Sequence, residues 1–312
     1  MLRVPRPPDG RLLHRGFEYH VTHVPFAYAA LRAGGYDVAH AWFTTDALAA
    51  ARWRRVTGRP AVHSYMGIPD HHGLMWKRRR LEITLRAVRE TDATVALSRY
   101  VASEFRRWLG CDPVVIEPPV DVDTFKPGPQ RTPEPTVVCA ATIDPTDDRK
   151  RVPLLVAAWP HVRRARRGAR LLLNRPRDPQ LAAELAAHAG IEVIDMDDRA
   201  ELARLYASAW ASALPARNEA FGLVLAEAMA CGTPGVGANL HGIPEVIDSP
   251  AVGRLFDGDD AADVARAILE TFELAEDPST ADACRERALG LSRDSRVDEY
   301  ERLYRELLDR RA

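Results

Sequence analysis

Leu214 to Glu245 reads LPARNEAFGLVLAEAMACGTPGVGANLHGIPE. Two carboxylates, Glu219 and Glu227, with seven residues between them, flank an apolar segment that opens with Phe221-Gly222. The run Leu223, Val224, Leu225, Ala226, Ala228, Met229 and Ala230 predicts a short buried helix, stopped by Gly232 and Pro234. Glu227 is then a charge in an apolar helix, which is costly unless something pairs with it. Glu219 falls in the preceding loop, near the backbone N–H groups of Phe221, Gly222 and Leu223. A helix N-terminus of this kind suits an anion such as a phosphate. An anion site flanked by two carboxylates that accept from hydroxyls matches the chemistry of a sugar nucleotide, with diphosphate on the amides, a sugar at one end and a ribose at the other.

Two glutamates at this spacing alone fit many solvated helix faces, so the weight rests on the residues around them. Glu219, Phe221, Gly222, Leu223, Glu227, Ala228, Met229, Ala230, Gly232, Pro234, Gly242 and Glu245 together resemble the donor-binding segment of the retaining GT-B glycosyltransferases of family 4. The resemblance implies an α/β fold of two Rossmann-like, doubly wound parallel-sheet domains facing a cleft.

Composition sets the bounds. A chain of 312 residues can bury a core in each of two domains. A net charge of −1 gives no global pull toward nucleic acid, and no nucleic-acid partner is expected. The cysteines Cys111, Cys139, Cys231 and Cys284 lack C-x-x-C spacing, which points to a reducing compartment without a disulfide or metal framework. No apolar run approaches the ~20 residues of a spanning helix, and the opening MLRVPRPPDGR has no apolar signal segment. The expectation is a cytoplasmic protein.

In chain order, the first 35 residues read as irregular, followed by a strand at Tyr36–Trp42 and a helix over 46–55. A strand over 60–65 leads to Met66-Gly67, and the basic run 76–80 opens a helix to about Glu90. A strand at 93–98, a helix at 100–109 and a strand at 114–119 follow. Strands alternating with helices predict a parallel sheet. Asp37 to His40, Val95 to Ser98 and Pro118 to Pro127 also resemble the family's N-terminal strands and its domain junction. The domains implied are 1–127, a linker over 128–135, 136–295, and a terminal helix over 296–312 that returns to the first domain. Nothing before Tyr36 reads as the strand, Gly-rich loop and helix with which the family usually begins. The first domain is therefore expected to be shortened, with weak transfer and an open sheet edge that favours dimers.

The second half opens on a strand over 136–142 and a helix over 147–159, whose start carries Arg149, Lys150 and Arg151. The family places a phosphate-binding lysine here, and Lys150 is one of only three lysines, with Lys77 and Lys126, among 43 basic residues. Ala141-Thr142 replaces the family's Gly-Arg, a gap that Arg149 could partly fill. A strand over 169–175, a helix over 180–190 and a strand over 191–197 come next. Asp195 and Asp197 look like a metal-binding D-x-D, but the resemblance puts them in a loop facing the nucleobase, with Asn174, Arg175 and Met196.

The reaction implied is retaining, metal-independent transfer of a sugar from a nucleotide-sugar donor, without a cofactor, to an acceptor that the sequence does not name: lipid, glycan or small molecule. Lys150, Arg149 and the amides of Phe221, Gly222 and Leu223 would hold the diphosphate. Glu227 would accept from the ribose and Glu219 from the donor sugar. Across the cleft, Met66-Gly67 stands where the family has His-Gly, leaving His63, His71 or His72 as a catalytic partner, with His63 the candidate carried forward. A lone strand histidine is more often a packed core residue. Two other readings stay open: a non-catalytic nucleotide-sugar-binding remnant or partner subunit, and a nucleotide-sugar epimerase. The basic clusters at 76–80 and at Arg163, Arg164, Arg166, Arg167 and Arg170 are either solvated faces or peripheral contacts with the inner face of a membrane.

Overall fold

The computed structural model describes residues 23–75, 78–128, 130–144 and 146–310. They form two units, one of residues up to Glu117 joined by those from Val297 on, the other Pro118–Arg296.

In the first unit the elements run α1 (Val24–Ala33), β1 (Ala39–Ala41), α2 (Thr44–Thr57), β2 (Ala61–Tyr65), α3 (His71–Met75), α4 (Arg78–Glu90), β3 (Ala93–Ala96), α5 (Arg99–Leu109) and β4 (Val114–Val115). The strands pair in parallel in chain order, β1 to β4. Every residue of β2 is buried, as expected of a parallel strand covered on both faces. The opening of the chain is not irregular throughout, because Val24–Ala33 is helical. Pro25 sits in its first turn, where a missing N–H costs nothing and φ is already set. Tyr28 and Leu31 then pack against the core of Ala39, Ala47 and Trp53. Residues 1–22, with Trp76 and Lys77 of the basic run, lie outside the described residues.

The second unit contains β5 (Thr136–Cys139), α6 (Val152–Ala165), β6 (Arg170–Asn174), α7 (Pro179–Ala186), β7 (Ile191–Ile194), α8 (Arg199–Ser208), β8 (Ala211–Leu214), α9 (Leu223–Ala230), β9 (Gly235–Ala238), α10 (Ile243–Val246), β10 (Gly253–Phe256), α11 (Ala261–Glu276) and α12 (Pro278–Leu289). Its six strands are all parallel in the order β10-β9-β8-β5-β6-β7. The last helix, α13 (Arg293–Asp309), carries Leu303 and Leu307 into the first unit's core against Val62, Val95 and Ile116.

Of the boundaries that differ from the sequence reading, three have a clear physical reason. Residues 118–127 pack with the second unit, not the first. Val120 donates to Leu291 O at 2.8 Å, Phe125 is fully buried, and Arg285 donates to the carbonyls of Val122 and Phe125. The predicted helix over 147–159 is broken at its start and longer at its end. A 3-10 turn at Asp148–Lys150 ends at Arg151, whose φ is 50°, and α6 continues past Pro160 to Ala165 because Trp159 and Val162 are core residues. β4 pairs over only Val114–Val115, since Pro118 and Pro119 have no N–H to give a ladder. No helix among the described residues is long and apolar enough to cross a membrane.

Candidate functional site

The sheet of the second unit reverses its winding beside β5. From there the chain steps outward through β6 and β7, then returns to add β8, β9 and β10 on the other side. The loops that leave the C-terminal ends of β5 and β8 open at that switch point, where open α/β sheets place their ligands. They are residues 140–151 and 215–222.

Each loop is held by its own backbone chemistry. After β8, Asn218 adopts φ 60° and donates its N–H to His241 Nδ1 at 2.8 Å, while His241 has φ 59°. Asn and His are among the residues that best tolerate this left-handed region. Gly242 donates to Glu219 O at 3.0 Å, and a Cβ there would lie 2.2 Å from Ala220 O. The loop carrying Glu219 thus rests backbone to backbone on the turn before α10. Gly222, with φ 104°, starts α9 without a side-chain cap. Leu225 N turns back to Gly222 O at 2.9 Å, and the N–H groups of Leu223 and Val224 open the helix with no side-chain cap.

The loop after β5 is fixed by Arg151, which is buried and donates to Gly258 O at 2.7 Å and to Asp259. Arg217 N donates to Arg149 O at 2.7 Å and ties the two loops together. Across this tie Lys150 Nζ meets Glu219 Oε2 at 2.6 Å, in a half-buried ion pair. The other cation, Arg149, turns away and binds Asp147 through two nitrogens at 2.7 and 2.6 Å.

Glu227 lies on α9 among fully buried apolar residues and is itself only 5% exposed. Burial pushes its carboxyl above the usual range, Arg199 at 3.3 Å opposes the rise, and Asp121 adds to it. Asn174 ends β6 and accepts the N–H of Met196 at 3.3 Å, and Arg175 reaches Val193 O. Asp195 accepts the N–H of Asp197, so these two carboxylates form a local turn. Phe221 is buried beneath the loop.

His63 belongs to the first unit, in the middle of β2. It is fully buried, and neither ring nitrogen has a hydrogen-bond partner. As placed it is a packed core residue, with its ring edge-on to Tyr65, and it does not reach a surface where substrate could meet it. His71 is exposed and its ring lies beside Trp108, while the side chain of His72 lies outside the described residues. The sequence reading did not find Arg199, Asn218 or His241, and it took Asp121 only as part of the domain junction. Only Asn218 carried a signal, as a turn-forming residue next to a singled-out glutamate.

Residues 134–273 match the family model described as Glycosyl transferases group 1, and residues 2–124 match that of Glycosyltransferase Family 4. A D-inositol 3-phosphate glycosyltransferase of Thermobifida fusca is 29% identical over 338 residues, which covers 91% of this chain and 74% of that one. Its counterpart from Mycobacterium sp. (strain JLS) is 30% identical over 274 residues, covering 78% of this chain and 60% of that one. The chain thus spans between three fifths and three quarters of these two relatives. Among solved structures, sucrose-phosphate synthase from Thermosynechococcus elongatus superposes with a TM-score of 0.80 at 23% identity, over 97% of this chain and 83% of that one. Anabaena HepE in complex with UDP-glucose gives 0.68 at 16% identity, over 89% and 82%. At these identities the structural likeness speaks for the fold.

Proposed function

This chain belongs to glycosyltransferase family 4 with the GT-B fold, and on that premise we propose that it binds a nucleotide-sugar at the switch point of its second unit and transfers the sugar with retention. The observation that carries the reading is the pairing of Lys150 with Glu219 across the two strand-end loops, beside the uncapped start of α9. A donor entering there exchanges this ion pair for two better-matched contacts. The diphosphate takes Lys150 and the first-turn amides, and a sugar hydroxyl takes Glu219. Glu227 accepts from the ribose, and the loop of Asn174, Arg175, Met196 and Asp197 faces the base.

Transfer breaks the bond from the anomeric carbon to the diphosphate oxygen and forms one to the acceptor oxygen on the same face, and the acceptor hydroxyl's proton passes to the departing diphosphate. Charge grows on the departing diphosphate, where an already placed cation and amides stabilise it without a metal ion. Arg149 joins them only by leaving Asp147, so its share is smaller than that of Lys150. The relatives named as D-inositol 3-phosphate glycosyltransferases put a cyclitol phosphate first among acceptors to test.

The cytoplasm, with its nucleotide-sugars, is the compartment this reading requires. The exposed arginines Arg164, Arg166 and Arg167 at and just beyond the end of α6 support peripheral contact with anionic lipid, and the outer position of β1 in the described sheet supports pairing of two copies. The test is an assay of UDP-, GDP- and ADP-sugars against inositol phosphates and glycan acceptors, with product stereochemistry read by NMR. Retained anomeric configuration in the presence of EDTA is expected. An inverted product, or turnover that stops with the chelator, would overturn the mechanism.

A further inference from the structure

Glu227 is 5% exposed, yet one of its oxygens is held and the other is not. Arg199 Nη1 donates to Oε1 at 3.3 Å, and Oε2 has no hydrogen-bond partner among the described residues. Oε2 is also not among the sealed, unsatisfied buried atoms, so it keeps an opening to the outside. Arg199 is an unusual residue at its own position. It opens α8 directly after the N-cap Asp198, where the positive end of the helix disfavours a cation. Its guanidinium stands over the ring of the fully buried Phe125, 4.9 Å from the centroid, while the side chain as a whole stays 56% exposed. The other titratable groups near Glu227 are Asp121, itself paired with Arg293 at 3.4 Å, Tyr206 of α8 and Cys231 at the end of α9. Arg199 is the one cation recorded against Glu227 among the described residues.

We infer that Arg199 is a positioning residue that keeps Glu227 an ionised acceptor with Oε2 turned outward for the vicinal hydroxyls of the ligand's ribose; this rests on the reading of Glu227 as the ribose-binding carboxylate. The chemistry requires the ionised form, because a carboxylate accepts from both hydroxyls, whereas a carboxylic acid spends one oxygen on its own proton. Burial and Asp121 both favour the acid, and Arg199 alone works against them. Without Arg199, Glu227 would stay protonated to higher pH.

Two measurements test this. The first needs no ligand. Urea unfolding of the wild type, Arg199→Gln, Glu227→Gln and the double variant is followed from pH 4.5 to 8.5. In Arg199→Gln the native state holds its proton to a higher pH than the unfolded chain. Its deficit relative to wild type should therefore widen as pH rises, by up to tenfold in the unfolding constant for each unit of raised pKa. In the Glu227→Gln background that pH dependence should vanish. A deficit that is flat with pH, or that survives Glu227→Gln, overturns the inference.

The second compares binding of UDP, GDP and ADP with their 2′- and 3′-deoxy counterparts. Arg199→Gln should bind the ribonucleotide about as well as wild type at pH 8.5 and about tenfold more weakly at pH 6, with deoxy affinity unchanged and Arg199→Lys partly restoring the profile. If the wild type does not distinguish ribo- from deoxynucleotides, the ribose reading of Glu227 fails, whatever the unfolding data say. If it does and Arg199→Gln keeps the wild-type pH profile, the role of Arg199 fails and the reading of the site stands.

Discussion

Gly242→Ala tests whether the loop carrying Glu219 is held as described. The φ of Gly242 is −82°, a value open to any residue, so the requirement for glycine is one of space. An added Cβ would lie 2.2 Å from Ala220 O, 2.5 Å from Ala220 C and 2.8 Å from Phe221 N. All three are backbone atoms, so no side-chain rotation relieves the clash. Reaching an ordinary C···O separation of ~3.3 Å requires the loop to retreat by about 1 Å. Overpacking of this kind costs about 1–3 kcal/mol, which for a unit of this size lowers Tm by roughly 2–12 °C. The larger effect should be on function. Glu219 O accepts from Gly242 N, so the same shift moves Glu219 away from Lys150. A misplacement of ~1 Å can cost about a hundredfold in rate. Scanning calorimetry and donor-binding calorimetry on Gly242→Ala, with the exposed neighbour Leu240→Ala as control, provide the assay. A Gly242→Ala protein with wild-type Tm and donor affinity would refute the reasoning, because the loop would have absorbed the methyl group without moving the site.

Lys150→Ala should weaken nucleoside diphosphate binding by about tenfold to a hundredfold, the range of one charge-assisted hydrogen bond of ~1.5–3 kcal/mol. Nucleoside affinity should change little, and an equal loss for both would assign the lysine to folding or the base pocket. His63→Phe removes two unpartnered buried nitrogens and should leave stability at pH 7 unchanged or raise it by up to about 2 kcal/mol. Burial holds both His63 and His40 at about 4, below the ordinary histidine value of 6.5. The unfolded chain therefore takes up protons first, and their contribution to stability, intact above pH 6.5, is lost as pH falls toward 4. Urea midpoints at pH 7 and 5 should show a smaller acid loss in His63→Phe than in wild type. Loss of turnover in a variant of unchanged stability would return His63 to the catalytic machinery.

The sequence made some of this legible for identifiable reasons. The burial of Glu227 could be read because its neighbours within α9 are apolar on all sides, and local composition decides that. The parallel sheets followed from strands alternating with helices. Glu219 and Lys150 were each singled out, but their 2.6 Å contact depends on the switch in winding between β5 and β8, which no local pattern encodes. Arg199 stayed invisible because it meets Glu227 only when α8 and α9 pack, 28 positions apart in the chain. Residues 118–127 read as the end of the first domain because the junction motif marks a boundary without telling which core its Val120 and Phe125 enter, and they pack with the second unit.

The most direct measurement of the central claim is a structure of this chain with a non-transferable nucleotide-sugar analogue bound. The diphosphate should lie on Lys150 Nζ and the N–H groups of Gly222 and Leu223, the ribose hydroxyls on Glu227 Oε2, and the sugar beside Glu219, with the Lys150–Glu219 pair opened. An analogue seated elsewhere, or one bound with Lys150 and Glu219 still paired and Oε2 facing water, would contradict it.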